Sequence, residues 1–376
     1  MTSPLWDPIF GKSAVSATTN DAAWVQAMCD AEAALARACA RTGLVSEDAA
    51  RAVSRSCADA ALTDPAELGA DAAADGNPVI PLVKQLRSHI PEHAEAVHFG
   101  ATSQDILDTS TMLVSRQALA VILSALDDVA AACVRLAAAH RNTPMIGRTL
   151  MQQALPTTFG ALAAGWGEGV DRTTARLAAL RDGCAVQLGG AAGTLAGWHP
   201  HGPAVRAALA EELGLQDPGT VWHSERSRIT ELASALGAAC GAINKIGTDV
   251  VLLAQTEVGE VREGAGGGSS TMAHKHNPIA AITARAAAGQ APALVATLHA
   301  AMSAELQRGA GPWHSEWQPL IGLLNTTGGA ATRLATSLTG LHVDAEAMAR
   351  NLGANTAPDL GHAGDLVDCY LQGRQS

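Results

Sequence analysis

Residues 104–140 read QDILDTSTMLVSRQALAVILSALDDVAAACVRLAAAH, and no proline or glycine interrupts the chain between Gly100 and Pro144. Such a run predicts a single α-helix, on the order of 55 Å long at 1.5 Å per residue. Similar patterns run from about Pro156 to Arg181, Glu225 to Val258 and Pro278 to Arg308, and less cleanly from Glu316 to Leu338. Soluble proteins usually keep helices to about 10 to 14 residues, so several this long must lie side by side in a bundle. Their faces are apolar nearly all round, which predicts burial on more than one side. A homo-oligomer whose bundles pack together would cover the surplus face. No alternating strand pattern and no fixed repeat is visible. The expected fold class is all-α. A small N-terminal helical domain (1–100) opens it, with Asn20 and Asp21 starting a helix to about Arg41 and Ser46 another to about Ala61. A central long-helix bundle (101–343) follows, carrying a loop at 264–278, and one or two short helices form a C-terminal tail (344–376).

The hydrophobic fraction is 48% but the aromatic fraction only 3%, so the core is built from Ala, Leu and Val, which suits closely packed helices. A formal charge of -11 with no Lys/Arg cluster argues against nucleic acid or an anionic membrane as partner. The most apolar long stretches are interrupted by Asp127 and Asp128, by Lys245 or by Arg285, and none reads as a membrane span. The seven cysteines are odd in number, scattered and never in CxxC spacing, which suggests reduced, buried thiols rather than a disulfide framework or structural zinc. With no basic start or apolar core at the N-terminus, the expected compartment is cytoplasmic.

Polar stretches interrupt the apolar scaffold near the ends of the long helices. Gly266 to Pro278 reads GGGSSTMAHKHNP: three glycines free the backbone, and hydroxyls, Lys275 and Asn277 follow before Pro278, which can start a helix. A Gly/Ser linker is the plain alternative, but a linker has no use for the lysine and asparagine. Lys275 follows His274 rather than a glycine, so this is not a phosphate loop. In HFGATSQDILDT (98–109), Thr102 and Ser103 offer hydroxyls at a helix N-terminus, where the dipole favours an anion. Ser103 as a simple N-cap explains that residue equally well. In GRTLMQQALPTTFG (147–160), Arg148, Thr149, Gln152 and Gln153 precede Pro156, which can open the next helix, and Arg148 can grip a carboxylate or form a surface salt bridge. ELQRGAGPWHSEWQPL (305–320) adds Arg308, and its Trp313 and Trp317 most simply pack along a helix. His199 and His201 flank a turn proline, and His274 and His276 flank Lys275, whose charge would repel a cation, so no metal is expected.

Taken together, GSSTMAHKHNP (268–278), TSQDILDT and GRTLMQQALPTTFG, in that chain context and order, resemble the fumarase/aspartase superfamily. LWDPIFG, LGGAAGTLA, TEVGEVREG and RGAGPWHSEW are most similar to its lactone-forming cycloisomerase branch. The resemblance covers nearly the whole chain. It implies a homotetramer whose active sites each take residues from three chains, a small tricarboxylate substrate and no cofactor. It further implies that Ser269 is catalytic, with Ser270 its immediate competitor. By the same resemblance Lys275 and Asn277, Thr102 and Ser103, and His98 are expected to bind substrate; Arg148, His276 and Arg308, the nearest further positive charge in the motifs, and Thr149, Gln153 and Ser270 beside them are expected to join them. Ala273 stands where the superfamily has proline, and His276 where close relatives have arginine. Lyases of the superfamily carry a histidine after the RT pair as acid to the leaving group; here that place is Leu150. Leucine transfers no proton, and a carboxylate leaving group, from an acid of pKa roughly 4, needs none at neutral pH. The implied reaction is therefore lactonisation of a muconate. A lyase eliminating fumarate and a catalytically inactive structural tetramer are the alternatives.

Overall fold

The computed structural model describes residues 5–58, 64–264, 267–268, 275–353 and 358–374. Short helices come first: α1 (Ser13–Thr19), α2 (Asp21–Arg41), α3 (Glu47–Ala58), α4 (Pro65–Asp75) and α5 (Val79–His89). Asn20 caps α2 as its sequence demands, its side chain accepting from Ala23 N–H at 2.9 Å. Helix α2 packs on α3 and on the long helix α6 (Ser103–Ala139).

At the far end of α6 comes a β-hairpin, β1 (Pro144–Thr149) and β2 (Gln152–Thr158), before α7 (Phe159–Asp182). This corrects the expectation that Pro156 opens a helix: Pro156 sits in β2 opposite Ile146, and Thr158 caps α7, accepting from Ala161 N–H at 3.1 Å. A two-stranded ribbon has only edges, where proline's missing N–H costs nothing. Helix α8 (Gly202–Leu213) precedes α9 (Ser227–Leu253), and strands β3 (Val261–Glu263), β4 (Gly267–Gly268) and β5 (His276–Asn277) lead into α10 (Ile279–Ala288) and α11 (Ala291–Ala300). The expected helix from Pro278 to Arg308 is thus two helices and a loop, because Pro292 near the start of α11 has no N–H to continue the ladder across Gly289. Helix α12 (Pro312–Thr339), strand β6 (Leu341–Val343), α13 (Ala345–Leu352) and α14 (Ala363–Gly373) complete the chain.

Direction follows from three contacts. Arg226, at the start of α9, bonds Asp108 near the start of α6 and Glu316 near the start of α12. Arg135, late in α6, donates to Leu338 O at the end of α12. His299 in α11 meets Ser234 early in α9. Helices α6, α9 and α12 therefore run one way, and α7 and the α10–α11 pair return between them. One end of the bundle gathers the starts of α6, α9 and α12; the other gathers the hairpin, β3–β6 and the start of α10. The first is the clamp end and the second the hairpin end.

Two stretches, α9 and α10–α11, are long and apolar enough to cross a bilayer by length and composition alone, but both are bundle helices. Only 44% and 33% of their most apolar windows are buried, so a single chain leaves apolar helix surface uncovered. Six of the seven cysteines are buried as expected; Cys369 is exposed.

Candidate active site

At the clamp end, Thr102 occupies the N-cap of α6 and Ser103 its first helical position, so threonine rather than serine is the capping residue. The sequence T-S-Q-D is itself an N-terminus signal. Asp105 Oδ2 accepts from Thr102 N–H at 3.0 Å and from Gly190 N–H at 2.9 Å. Its Oδ1 accepts from Gly189 N–H at 2.8 Å and lies 2.7 Å from His223 Nε2. Asp105 thereby fixes the 189–191 turn beside the helix start. Arg308 then bridges the two: Nη1 donates to Thr102 Oγ1 at 2.6 Å, and Nη2 to Gly190 O and Ala191 O, both at 3.0 Å. Among the described residues only neutral oxygens hold this guanidinium, so at a helix N-terminus it keeps its charge for an anion. His98 lies four residues before Thr102, with its ring on Glu32.

Beneath the clamp, Arg226 sits between two acids, bonding Asp108 at 2.8 and 3.0 Å and Glu316 at 2.9 and 2.6 Å, while Trp313 Nε1 donates to Asp108 Oδ1 at 3.0 Å. Burial, the largest influence, holds the Glu316 carboxyl above its ordinary range despite Arg226, and the charge of Asp108 adds to this. One cation between two buried acids fixes the starts of three helices and leaves no positive charge to spare. Trp313 and Trp317 stack edge-on at 5.0 Å, the helix packing expected of them.

At the hairpin end, Leu150 and Met151 form a two-residue turn, both in the left-handed region (φ 50° and 64°), with side chains 96% and 64% exposed. Arg148 faces Gln153 across the ladder, and Thr149 pairs with Gln152. The guanidinium of Arg148 is bidentate on Glu260, at 2.9 and 2.7 Å, and Glu260 is fully buried. Within this chain the arginine thus forms a salt bridge, the alternative to a carboxylate grip, and the acid it meets is buried rather than on the surface. Glu263, three residues on, accepts from Ala280 N–H and Ala281 N–H at 3.1 and 2.8 Å and so caps α10. Glu260 and Glu263 together tie the hairpin and the start of α10 to one strand. In the β4–β5 ladder Gly268 pairs with His276 and Gly267 with Asn277, and this pairing brackets 269–274. Ser269, Ser270 and Ala273 lie outside the described residues. Lys275, His276 and Asn277 line an open cleft of about 530 Å³ with Gln255 and Glu257. Gln255 also lines a second cleft, of about 320 Å³, shared by Arg148 and Met151. A larger cleft elsewhere is lined by Asp64, Glu67, Asp71 and Asp75, the wrong sign for a polyanion.

The structure thus sorts the expected site residues into two groups: His98, Thr102, Ser103 and Arg308 at the clamp end, and Arg148, Thr149, Gln153, Lys275, His276 and Asn277 at the hairpin end. Helix α6, of 37 residues, stands between them. At 1.5 Å per residue it is roughly 55 Å long, and the hairpin segment from its end to Thr149 can return at most about 36 Å even fully extended. One chain cannot bring Arg148 to Thr102.

Sequence reasoning missed Glu32, Asp105, His223, Arg226 and Glu260. Asp105 carried the T-x-x-D signal; the others meet partners 66 to 118 residues away, beyond any local pattern.

A helical bundle with an anion clamp at one end and a glycine-loop lysine at the other defines an enzyme of the fumarase/aspartase type. The chain belongs to the lyase family, whose profile matches residues 5–292. Among its relatives, a 3-carboxy-cis,cis-muconate cycloisomerase of Bradyrhizobium diazoefficiens is 45% identical, over 94% of this chain and 80% of that one. A nitrosuccinate lyase of Streptomyces davaonensis is 46% identical, over 93% and 77%. The crystal structure of 3-carboxy-cis,cis-muconate lactonizing enzyme from Pseudomonas putida superposes with a TM-score of 0.88 at 37% identity, covering 100% of this chain and 89% of that one.

Proposed function

We propose that the protein is a 3-carboxy-cis,cis-muconate cycloisomerase, closing its substrate to 4-carboxymuconolactone in protocatechuate catabolism without a cofactor. One substrate carboxylate oxygen adds to the conjugated double bond, forming the C–O bond of the lactone. The displaced electron pair collects on a neighbouring carboxylate as an enediolate, and Ser269 delivers a proton to the carbon. The lactone dianion carries one proton more than the muconate trianion, and Ser269, having given it, recovers a proton from solvent. The enediolate is the species to stabilise, and preorganised donors are worth most where that charge develops. Arg308, Thr102, Ser103, His98 and the N-terminus of α6 supply those donors from one chain. Ser269, Ser270, Lys275, His276 and Asn277, with the hairpin's Thr149 and Gln153, come from others in a homotetramer. The observation that carries the reading is the clamp itself: Arg308 bonded at 2.6 Å to the N-cap threonine of a 37-residue helix, its charge unpaired by any carboxylate bond among the described residues.

In the reverse direction the leaving group is a carboxylate, which departs without a proton, and Leu150 at the hairpin tip offers none. Loss of the muconate's ultraviolet absorbance on adding enzyme tests the proposal, with Ser269→Ala expected to abolish the loss. An unchanged spectrum at high enzyme concentration would overturn it. A second reading, elimination of nitrite from nitrosuccinate, is favoured by the Streptomyces davaonensis relative at 46% identity. Nitrite, also a stable anion, leaves without an acid at position 150. Nitrite release assayed beside the muconate reaction decides between them.

A further inference from the structure

Glu32 lies in the middle of α2, far in sequence from every motif, and its side chain is fully buried. Both its oxygens go to one residue: Oε1 is 2.6 Å from His98 Nδ1, and Oε2 accepts from His98 N–H at 3.0 Å. A buried carboxylate persists only when its lone pairs are met and its charge balanced. A carboxylate accepts and does not donate, so Nδ1 carries the proton. His98 itself is held at φ 60°, an uncommon conformation for a non-glycine residue, which this two-point grip stabilises. Next to it Gly100, at φ 71°, packs so closely on Trp198 that a Cβ would come within 2.9 Å of the indole. Ala101 N–H then bonds back to His98 O at 3.3 Å, so the ring's position and that of Thr102 are set together.

Resting on the cycloisomerase reading, we propose that Glu32 is a positioning residue: gripping His98 through both oxygens, it fixes the ring and favours its protonated form, leaving Nε2–H as a donor to a substrate carboxylate. The arrangement is that of an acid orienting a catalytic imidazole, turned from proton transfer to charge. Three charged groups face the ring. Burial is the largest influence and favours the neutral form, but Glu32 by charge and hydrogen bond, with Asp105 of α6 by charge, outweighs it and Arg87 of α5, so the imidazole titrates above its ordinary value.

A histidine raised in the folded state adds stability below its unfolded pKa and loses that contribution as pH rises through the folded value. The experiment is KM and thermal midpoint against pH, from 5.5 to 9, for wild type, Glu32→Gln, His98→Asn and the double variant. Wild-type KM should stay low until His98 deprotonates and then climb. In Glu32→Gln the climb should begin at lower pH, with KM raised roughly tenfold to a hundredfold near neutrality and kcat changed less. On the His98→Asn background the glutamate change should add nothing. The midpoint difference between wild type and Glu32→Gln should be widest at low pH and shrink as pH rises. A pH-independent rise in KM, or additive effects in the double variant, would make Glu32 merely structural and overturn the proposal. Should Glu32→Gln not fold, His98→Asn alone decides, since a KM that keeps the wild-type pH profile contradicts a charged His98. Should the wild type turn over no muconate, the cycloisomerase reading fails separately, and the midpoint series still tests the pair.

Discussion

Arg148 and Arg308 look interchangeable in the sequence, each an arginine in a polar stretch, and the structure gives them opposite tasks. Arg148 spends both Nη groups on the buried Glu260, so it holds the hairpin to the strand that carries the glycine loop. Arg308 meets a hydroxyl and two carbonyls and keeps its charge. Arg148→Ala should therefore act on stability, costing about 3 kcal/mol because Glu260 is left buried with Asn351 as a partner, neutral and insufficient. Chemical denaturation measures this. Arg308→Met, at a half-buried site whose hydroxyl and two carbonyl partners are neutral, should cost less, about 1 kcal/mol, while abolishing muconate turnover. Equal destabilisation by the two would show that the assignment of roles is wrong. Residue identities in the motifs were legible from the sequence; their partners were not, because Glu32, Glu260 and Arg226 come from segments joined only by folding.

At the scale of elements, the long helices were legible because apolar periodicity over 24 to 37 residues has no competing interpretation. The hairpin was not. Favoured two-residue turns carry Asn-Gly or Asp-Gly, whereas here Leu150 and Met151 take the left-handed conformation at a cost of roughly 1 to 2 kcal/mol each. Large apolar side chains exposed at a strained tip make sense where another surface receives them. The corner that launches the hairpin is close-packed: a Cβ on Gly160 would lie 2.7 Å from both Arg141 Cα and His140 O. Backbone cannot yield as a side chain can, so Gly160→Ala should cost about 1 to 3 kcal/mol. The control Gly165→Ala, in the same helix with open space around it, should be neutral or slightly stabilising. Urea unfolding of the pair checks this, and comparable losses in both would mean that helix α7 is not pinned at that corner.

For the whole molecule, two facts point the same way. Helices α9 to α11 leave most of their apolar windows uncovered, and the two groups of site residues stand at opposite ends of one chain. A site that needs both groups has to be assembled between copies, which is what the cycloisomerase proposal requires. The most direct test mixes two inactive variants, Arg308→Met at the clamp end and Lys275→Met at the hairpin end, unfolded and refolded together. Each variant alone should form an oligomer of several 38.3 kDa chains by light scattering and turn over no muconate. Random mixing returns a site with both ends intact only when the clamp comes from a Lys275→Met chain and the loop from an Arg308→Met chain, so about a quarter of wild-type activity should reappear. No recovery, with mixed oligomers demonstrably formed, would place both ends of the site in a single chain and contradict the account.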